Sequence, residues 1–277
     1  DRYELLCPIA SGGMASVWAA RLIGTSGFRK IVAIKSMLPD LADEPDYREM
    51  FLDEARIASK LRHPNVCETF DLGEQDGELF MAMEWVDGAS LHRLLRDSHK
   101  HTRPIAPEIA ARIVAHACAG LHAAHEATDD DGAPLAIVHR DVSPHNLLIS
   151  VAGHVKVTDF GVAKARNKSH RTAAGQAKGK LAYMAPEQLR LAGAVDRRAD
   201  VFSLGCVLYE ASTGQKPFDA VSDVELMRAI LERAPKRPSE ILPGYPAELE
   251  RIIVRAMAKD PGERFASAEG LRLALDR

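Results

Sequence analysis

Residues 139–146 read "HRDVSPHN" and follow directly on the apolar "LAIV" near the middle of the 277-residue chain. Further short motifs surround this octapeptide in a fixed order. "VAIK" ends at Lys35, a helix-like stretch carries Glu54, "DFG" begins at Asp159, and "APE" ends at Glu187. Each motif alone is a weak signal, whereas all of them in this order are highly specific. The set therefore decides which fold we expect.

The sequence before residue 87 predicts strands and one main helix. Runs of β-branched and apolar residues separated by glycine-containing stretches predict strands at "YELLCPIA", "SVWAARL" and "KIVAIKSML". "PDYREMFLDEARIASKL" carries apolar residues at helical intervals and predicts an amphipathic helix. "VCETFDLGEQDGELFMAMEWV" predicts two further strands, joined by a turn at Gln75-Asp76-Gly77.

After residue 87 the pattern becomes mostly helical. "APEIAARIVAHACAGLHAAHEA" and "DVFSLGCVLYEASTG" predict long helices, and short strands are expected around "HRDVSPHNLLIS" and "HVKVTDFGVA". We therefore expect an α+β fold of two lobes. The small, mostly β N-terminal lobe would occupy residues 1–86, and the larger, mostly helical C-terminal lobe would occupy residues 87–277.

Composition limits the classes of function. The net charge of −3 lacks the basic excess typical of nucleic-acid-binding proteins, so no nucleic-acid partner is expected. The four cysteines are scattered without a CxxC pair, which favours buried thiols in a reducing compartment over a metal site or disulfide framework. No apolar run approaches the roughly 20 residues of a membrane-spanning helix. The expected location is cytoplasmic, with membrane anchoring outside this segment left open.

The ordered motifs resemble those of the eukaryotic-type serine/threonine protein kinase catalytic domain along essentially the whole chain. "GGMASVW" and "YMAPEQL" most resemble the bacterial branch of that family. The resemblance implies a protein-kinase-like fold and an enzyme that transfers the γ-phosphoryl group of ATP to serine or threonine hydroxyls of protein substrates. It also implies Mg²⁺, with Mn²⁺ as an alternative, and a homodimer as one arrangement for autophosphorylation.

The resemblance assigns a role to each polar motif residue. Lys35 would reach the α- and β-phosphates, and Glu54 would hold its ammonium in an ion pair. Asp141 would act as the catalytic base, while Asn146 and Asp159 would hold the metal ions. Phosphoryl transfer needs positioning and charge neutralisation more than covalent chemistry, so these residue types suit it. Taken alone, Lys35 would be read as a solvated surface lysine.

The resemblance also implies an adenine pocket. Val17, Ala33 and Leu148 match the positions that sandwich the ring, Met83 would guard the back of the pocket, and Glu84 to Val86 match the hinge whose backbone binds the adenine edge. An ordinary core would contain the same apolar residues, so this assignment rests on the resemblance alone.

The phosphate-covering loop departs from the family pattern of three spaced glycines. Ala10 and Ala15 stand at two of those positions, while Gly12 is retained at the loop tip and Gly13 is added beside it. Alanine is damaging only where the backbone needs a positive φ or very close contact. We therefore expect a somewhat stiffened loop that still covers the phosphates.

A second departure concerns charge. The family's catalytic-loop lysine is replaced by Ser143, and the threonine that would contact it in "GTxxYxAPE" is replaced by Lys180. A serine cannot neutralise developing phosphate charge as an ammonium does. We hypothesise that the two changes are reciprocal, with Lys180 taking over the role of the absent lysine. The alternatives are that Lys180 is a solvated charge, or that the chain is a pseudokinase scaffold that binds nucleotide or partners.

The stretch between "DFG" and "APE" is rich in lysine and arginine. A phosphate on it could form charge-assisted hydrogen bonds with Arg140, the expected phosphate receiver, and order the segment. Thr172 is the first candidate phosphosite and Ser169 the second, against the alternative of a solvated loop that needs no modification.

Other residues are expected to serve architecture. Glu187 would pair with Arg264 in "DPGERF", and Asp200 would hydrogen-bond the catalytic-loop backbone. His139 and Phe160 would serve packing rather than chemistry.

Overall fold

The computed structural model describes residues 2–100, 105–160, 177–190 and 195–277. Five strands form one antiparallel sheet in the order β1-β2-β3-β5-β4. They are β1 (Tyr3–Ser11), β2 (Ala15–Ile23), β3 (Arg29–Met37), β4 (Thr69–Gln75) and β5 (Glu78–Glu84). Asp76 and Gly77, both with positive φ, make the predicted turn between β4 and β5.

Helix α1 (Pro45–Lys60) packs on this sheet. Proline stands at its first position, where the missing amide hydrogen costs nothing. Phe51 and Ala55 on its inner face join one hydrophobic cluster with Ala33 of β3 and Met81 of β5. This packing fixes the helix that carries Glu54 against the strand that carries Lys35.

The rest of the described chain is mostly helical. A second, three-stranded antiparallel sheet has the order β6-β7-β8. Its strands are β6 (Gly88–Ser90), β7 (Leu147–Ser150) and β8 (Val155–Val157). The helices are α2 (Leu91–Lys100), α3 (Pro107–His125), α4 (Ala177–Leu181), α5 (Pro186–Leu189), α6 (Arg198–Thr213), α7 (Asp223–Glu232), α8 (Pro238–Ile241), α9 (Ala247–Ala256) and α10 (Ala268–Leu275).

Helix α6 forms the centre of this part and is buried along almost its whole length. It packs against α3 and α9. A Cβ atom added at Gly205 of α6 would lie 2.9 Å from the side chains of Ala256 and Met257, so glycine permits the close approach. The central helix provides the rigid support on which the loops of the site rest.

The predicted α+β architecture is confirmed, because an antiparallel sheet with one main helix precedes a mostly helical part. The expected strand before "HRDVSPHN" is wrong: within the described residues, 135–143 contain no strand, and the next strand along the chain is β7, after the loop. The division between residues 86 and 87 stays a prediction. None of the helices in the described ranges is both long and apolar enough to cross a membrane.

Candidate active site

Lys35 links the sheet, helix α1 and the "DFG" motif. Its Nζ lies 2.6 Å from Glu54 Oε1 and 2.8 Å from Asp159 Oδ1. Burial alone would lower the pKa of Lys35, but the two carboxylates outweigh it and hold that pKa above its ordinary value. Lys35 is therefore a permanent cation, fixed at a defined place in the cleft.

The two carboxylates that share this ammonium titrate differently. Burial raises the pKa of Glu54 more than Lys35 lowers it. Burial also opposes ionisation of Asp159, but Lys35 prevails and its pKa lies below the ordinary value. The Asp159 side chain keeps 39% of its surface open, which weakens the desolvation penalty and favours this direction. Asp159 thus presents an ionised carboxylate in the cleft.

Asp200 at the start of α6 binds the backbone of residues 139–146, the expected catalytic loop. Its buried carboxylate accepts hydrogen bonds from the backbone N–H groups of His139 (2.9 Å) and Arg140 (2.8 Å), as predicted. His125 Nε2 lies 2.7 Å from Asp200 Oδ2. Arg140 has a φ of +64°, which is strained for a residue with a side chain, so these hydrogen bonds stabilise an otherwise costly turn.

Asp141, Asn146 and Lys180 meet beyond that turn. Asn146 Nδ2 donates to the Asp141 carbonyl at 2.8 Å, which orients the amide of Asn146. Lys180 Nζ, from helix α4, donates to Asp141 Oδ2 at 2.7 Å. The Asp141 side chain is only 7% exposed and that of Lys180 is 33% exposed. The structure therefore brings the lysine from "GKLAYMAPE" onto the carboxylate of "HRDVSPHN".

Ser143, which lies between Asp141 and Asn146 in the sequence, is inaccessible to solvent. The residue is buried, and its Oγ has no hydrogen-bond partner among the described residues. Lys180 Nζ therefore donates its hydrogen bond to Asp141 and makes none to Ser143 Oγ. Ser143 brings no charge to this region, and the ammonium beside Asp141 is the one on Lys180.

His139 and Phe160 pack against each other, as expected. Their ring centroids are 4.8 Å apart, and both residues are buried. A His139 ring nitrogen lies 3.0 Å from the Thr158 carbonyl oxygen. These contacts connect the catalytic loop to the "DFG" motif by packing, which agrees with an architectural role.

Most of the residues expected around adenine lie together. Ala33 of β3 is paired in register with Met83 of β5. Val17 and Val86 pack against the hydrophobic cluster that contains both. Leu148, in the middle of β7, is partly buried and pairs with Ser90 and Lys156 across the second sheet.

The hinge segment contains contacts that the motifs did not predict. The Glu84 side chain accepts a hydrogen bond from Lys156 Nζ at 2.7 Å. Cys67, a buried member of the same cluster as Met83, places its Sγ 3.6 Å from the Glu84 carbonyl oxygen. Burial raises the pKa of the Cys67 thiol to about 12, so it remains protonated and acts as an apolar wall.

The loop between β1 and β2, which we expect to cover the phosphates, accommodates Ala10 and Ala15 without backbone strain. Ala10 lies in β1 and Ala15 in β2, and neither has a positive φ. Gly12 N donates to Ala15 O at 2.9 Å and closes the hairpin. A Cβ at Gly13 would meet nothing within 4 Å. The substitutions therefore impose no backbone strain on this loop.

Glu187 and Arg264 form the predicted buried pair. Arg264 Nη1 and Nη2 donate to Glu187 Oε1 and Oε2 at 2.6 Å and 2.8 Å. The next residue, Gln188, was not predicted: its Nε2 donates to the Arg140 carbonyl at 2.9 Å. Helix α5 is thereby attached both to the segment between α9 and α10 and to residue 140 of the "HRDVSPHN" stretch.

The two phosphosite candidates, Thr172 and Ser169, lie outside the described residues. The Arg140 Nε atom is buried and has no hydrogen-bond partner among the described residues. The expectation that Arg140 receives a phosphate therefore stays a prediction.

Comparison with known proteins supplies the family context. The family model described as protein kinase domain matches residues 3–273. The chain is similar to the tyrosine-protein kinase MasK of Myxococcus xanthus, with 44% identity over 274 residues that cover 99% of this chain and 42% of MasK. It is also similar to the serine/threonine-protein kinase PknB of Mycobacterium leprae, with 38% identity over 282 residues that cover 100% of this chain and 43% of PknB.

The serine/threonine-protein kinase PrkC of Bacillus subtilis is 36% identical over 270 residues, covering 98% of this chain and 39% of PrkC. The chain thus spans about two fifths of the length of these curated relatives. Among solved structures, the kinase domain of Mycobacterium tuberculosis PknI matches with a TM-score of 0.72 and 25% identity, covering 99% of this chain and 95% of that domain.

Proposed function

Because the chain belongs to the protein kinase domain family, we propose that it transfers the γ-phosphoryl group of ATP to serine and threonine hydroxyls of protein substrates. The observation that carries the proposal is the pair of ion-paired clusters around Lys35 and Asp141. A cytoplasmic location for this domain, with membrane anchoring outside the segment left open, belongs to the same proposal, since ATP is the phosphoryl donor and the four cysteines are free thiols, of which Cys7 is exposed rather than buried as expected.

The charges of the cleft favour a divalent metal. The cleft contains two ion-paired groups, Lys35 with Glu54 and Asp159, and Lys180 with Asp141. When all five side chains are ionised, their charges sum to −1. Mg²⁺ prefers oxygen ligands and needs few of them from the protein when phosphates supply the others. Mn²⁺ uses the same ligand type.

Asn146 and Asp159 would hold the metal through their amide and carboxylate oxygens. Asn146 suits this role because its Nδ2 is committed to the Asp141 carbonyl, which leaves Oδ1 as an oxygen donor. When held there, Mg²⁺ would supply positive charge that offsets the charge of the ATP phosphates.

The remaining steps belong to side chains of this chain. Lys35 holds the α- and β-phosphates at a position fixed by Glu54. Asp141 accepts or orients the proton of the substrate hydroxyl. Lys180 contributes positive charge at the γ-phosphate, in place of the family lysine whose position Ser143 occupies. The hydrogen bond from Lys180 Nζ to Asp141 supports this role.

The test is transfer from labelled ATP and Mg²⁺ by the protein alone and to a generic protein substrate, beside Asp141→Asn. We expect transfer that the variant loses. Nucleotide binding without transfer would instead support the pseudokinase scaffold. Within the same assay, Lys180→Ala and Lys180→Met should both lose activity, and parental activity in both would contradict the role of Lys180.

Tyrosine is the second candidate acceptor, because the 44% identical relative is named a tyrosine-protein kinase. Serine and threonine remain the first proposal, supported by the catalytic-loop Pro144 and by the relatives named as serine/threonine kinases. Acid hydrolysis of the labelled substrate and separation of phosphoserine, phosphothreonine and phosphotyrosine distinguish them. Label confined to phosphotyrosine would contradict the first proposal.

A further inference from the structure

The Gln188 side chain joins two separate segments of backbone through both ends of its amide. Its Oε1 accepts a hydrogen bond from the Ala185 backbone N–H at 3.0 Å, and its Nε2 donates to the Arg140 carbonyl oxygen at 2.9 Å. A backbone N–H can only donate and a carbonyl oxygen can only accept, so these two partners fix which way the side-chain amide points. A side chain that only accepts hydrogen bonds could therefore replace one of the two bonds but not the other.

The bond to Arg140 acts on a strained turn. Arg140 has a φ of +64°, and its N–H is held by Asp200 Oδ1 at 2.8 Å. Its carbonyl belongs to the peptide unit that continues into Asp141, whose N–H donates to His139 Nδ1 at 3.2 Å. The peptide unit is a rigid plane. Gln188 at its oxygen and His139 at its N–H therefore hold this plane at both ends, and the plane determines the direction in which the next side chain leaves the backbone.

The segment that carries Gln188 also carries Lys180. Lys180 Nζ donates to Asp141 Oδ2 at 2.7 Å. Between the two residues, the Tyr183 carbonyl accepts a hydrogen bond from Ser203 Oγ at 2.7 Å, which attaches the segment to the buried helix α6. The segment thus meets Asp141 at two points, at its carboxylate through Lys180 and at its preceding peptide unit through Gln188. The placement of the ammonium relative to the carboxylate therefore depends on both contacts.

We propose that Gln188 is a positioning residue for phosphoryl transfer: its amide orients the peptide unit before Asp141 and thereby sets the Asp141 carboxylate relative to the Lys180 ammonium. The inference rests on the proposed function and adds one more residue on which that reaction depends. Gln188 acts through the backbone of Arg140 and contributes no charge, proton or metal ligand of its own. Its loss should slow phosphoryl transfer without weakening nucleotide binding, because the contacts of Lys35 in the first sheet are untouched.

A purely structural role for the same side chain makes a different demand on its chemistry. Gln188 is the third residue of α5 (Pro186–Leu189), and by accepting from the Ala185 N–H it caps the start of that helix. A cap needs only the acceptor, which glutamate provides as well as glutamine does. The negative charge of glutamate also suits the first turn of a helix. Gln188→Glu therefore preserves the cap and removes only the donor to Arg140, at nearly unchanged size.

The experiment measures kcat for transfer from saturating ATP to casein, and the rate of self-phosphorylation, at about pH 8, where a partly exposed glutamate is ionised. We expect Gln188→Glu to lower kcat by about three- to tenfold, the effect of one lost hydrogen bond on the barrier. The Kd for ADP with Mg²⁺ and the midpoint of urea unfolding should match those of the parent. Gln188→Met, which removes both hydrogen bonds but adds no charge, should lower kcat at least as much. Gln75→Glu makes the same chemical change at an exposed position at the end of β4 and should keep the parental kcat.

Each outcome bears on a separate claim. Parental kcat in Gln188→Glu would overturn the inference, because the helix cap alone would then account for the side chain. Parental kcat in Gln188→Met would also overturn it, since the loss in Gln188→Glu would then come from the added charge. A loss in Gln188→Glu that comes with weaker ADP binding or a lower unfolding midpoint would assign Gln188 to structure alone. Absence of transfer by the parent protein, both to casein and to itself, would overturn the proposed function and this inference with it.

Discussion

The buried pair of Glu187 and Arg264 gives a sharp prediction about stability. The Arg264 side chain is 0% exposed and that of Glu187 is 16% exposed. Arg264 also donates to three backbone carbonyls, those of Ala258, Arg198 and Lys259. Glu187→Ala would remove the carboxylate and leave this guanidinium charged, buried and short of two acceptors.

The magnitude follows from those contacts. Breaking a buried ion pair by removing one partner costs about 3–5 kcal/mol. Two lost hydrogen bonds to a charged group, at about 1.5–3 kcal/mol each, give a similar sum. Glu187→Gln keeps one acceptor and should cost about half as much. We therefore expect the free energy of unfolding to fall in the order parent, Glu187→Gln, Glu187→Ala.

The assay is urea unfolding followed by far-ultraviolet circular dichroism at constant pH. Glu269→Ala is the matched control, because Glu269 makes the same two-pronged contact with Arg272, but on the surface. The control should show no resolvable loss, since exposed ion pairs contribute little. If Glu187→Ala lost no more stability than Glu269→Ala, the argument from burial would be refuted.

Three further predictions concern separate parts of the molecule. Lys35→Met removes the ammonium shared by two carboxylates and should lower phosphoryl transfer from labelled ATP by about 10²-fold or more; activity above a tenth of the parent would contradict this. Gly120→Ala would place a Cβ 2.4 Å from the Asn65 backbone oxygen and should cost about 1–3 kcal/mol in urea unfolding, while Gly13→Ala, with open space, should cost nothing resolvable. The pKa of His145 is lowered to about 4, so between that value and about 6.5 only the unfolded chain binds the proton, and stability falls as pH falls. His145→Gln should lessen the loss of unfolding free energy between pH 7 and pH 5 by about 1 kcal/mol, after allowance for partial exposure of the ring; an unchanged loss would contradict this.

The contacts that could be predicted from sequence involve motif residues of fixed type. Glu187 and Arg264 are 77 residues apart, yet each is marked by its own motif, and the structure joins them. The same holds for Asp200 and the catalytic-loop backbone. The partners were expected from the family resemblance of these motifs, and burial explains why such charged residues need a specific partner.

The apolar contacts of the site could not be predicted as well as the polar ones. Cys67 lies against the hinge because of the register that pairs Ala33 with Met83 and brings β4 beside β5. A single buried cysteine has no polar pattern to mark it. The hydrophobic effect is non-directional, so the sequence predicts that such a residue is buried but not what it touches.

The stacked histidines depend on packing between distant segments. His92 and His145 are 53 residues apart, and only the docking of α2 on the catalytic loop brings their rings together. The positive charge of Lys216, in the loop after α6, contributes to the lowered pKa of both rings. The positions of such side chains follow from rotamers and helix packing, which one sequence does not specify.

The most direct test of the account is exchange of charge between the two loops. We would measure kcat at saturating ATP for the parent, Lys180→Thr, Ser143→Lys and the double variant, with nucleotide binding as a check on folding. If Lys180 provides the ammonium at the transferred phosphate, Lys180→Thr should lower kcat by about 10²-fold or more, and adding Ser143→Lys should restore at least about tenfold. A Lys180→Thr variant within about twofold of the parent, a difference of only about 0.4 kcal/mol in barrier, would contradict the central claim.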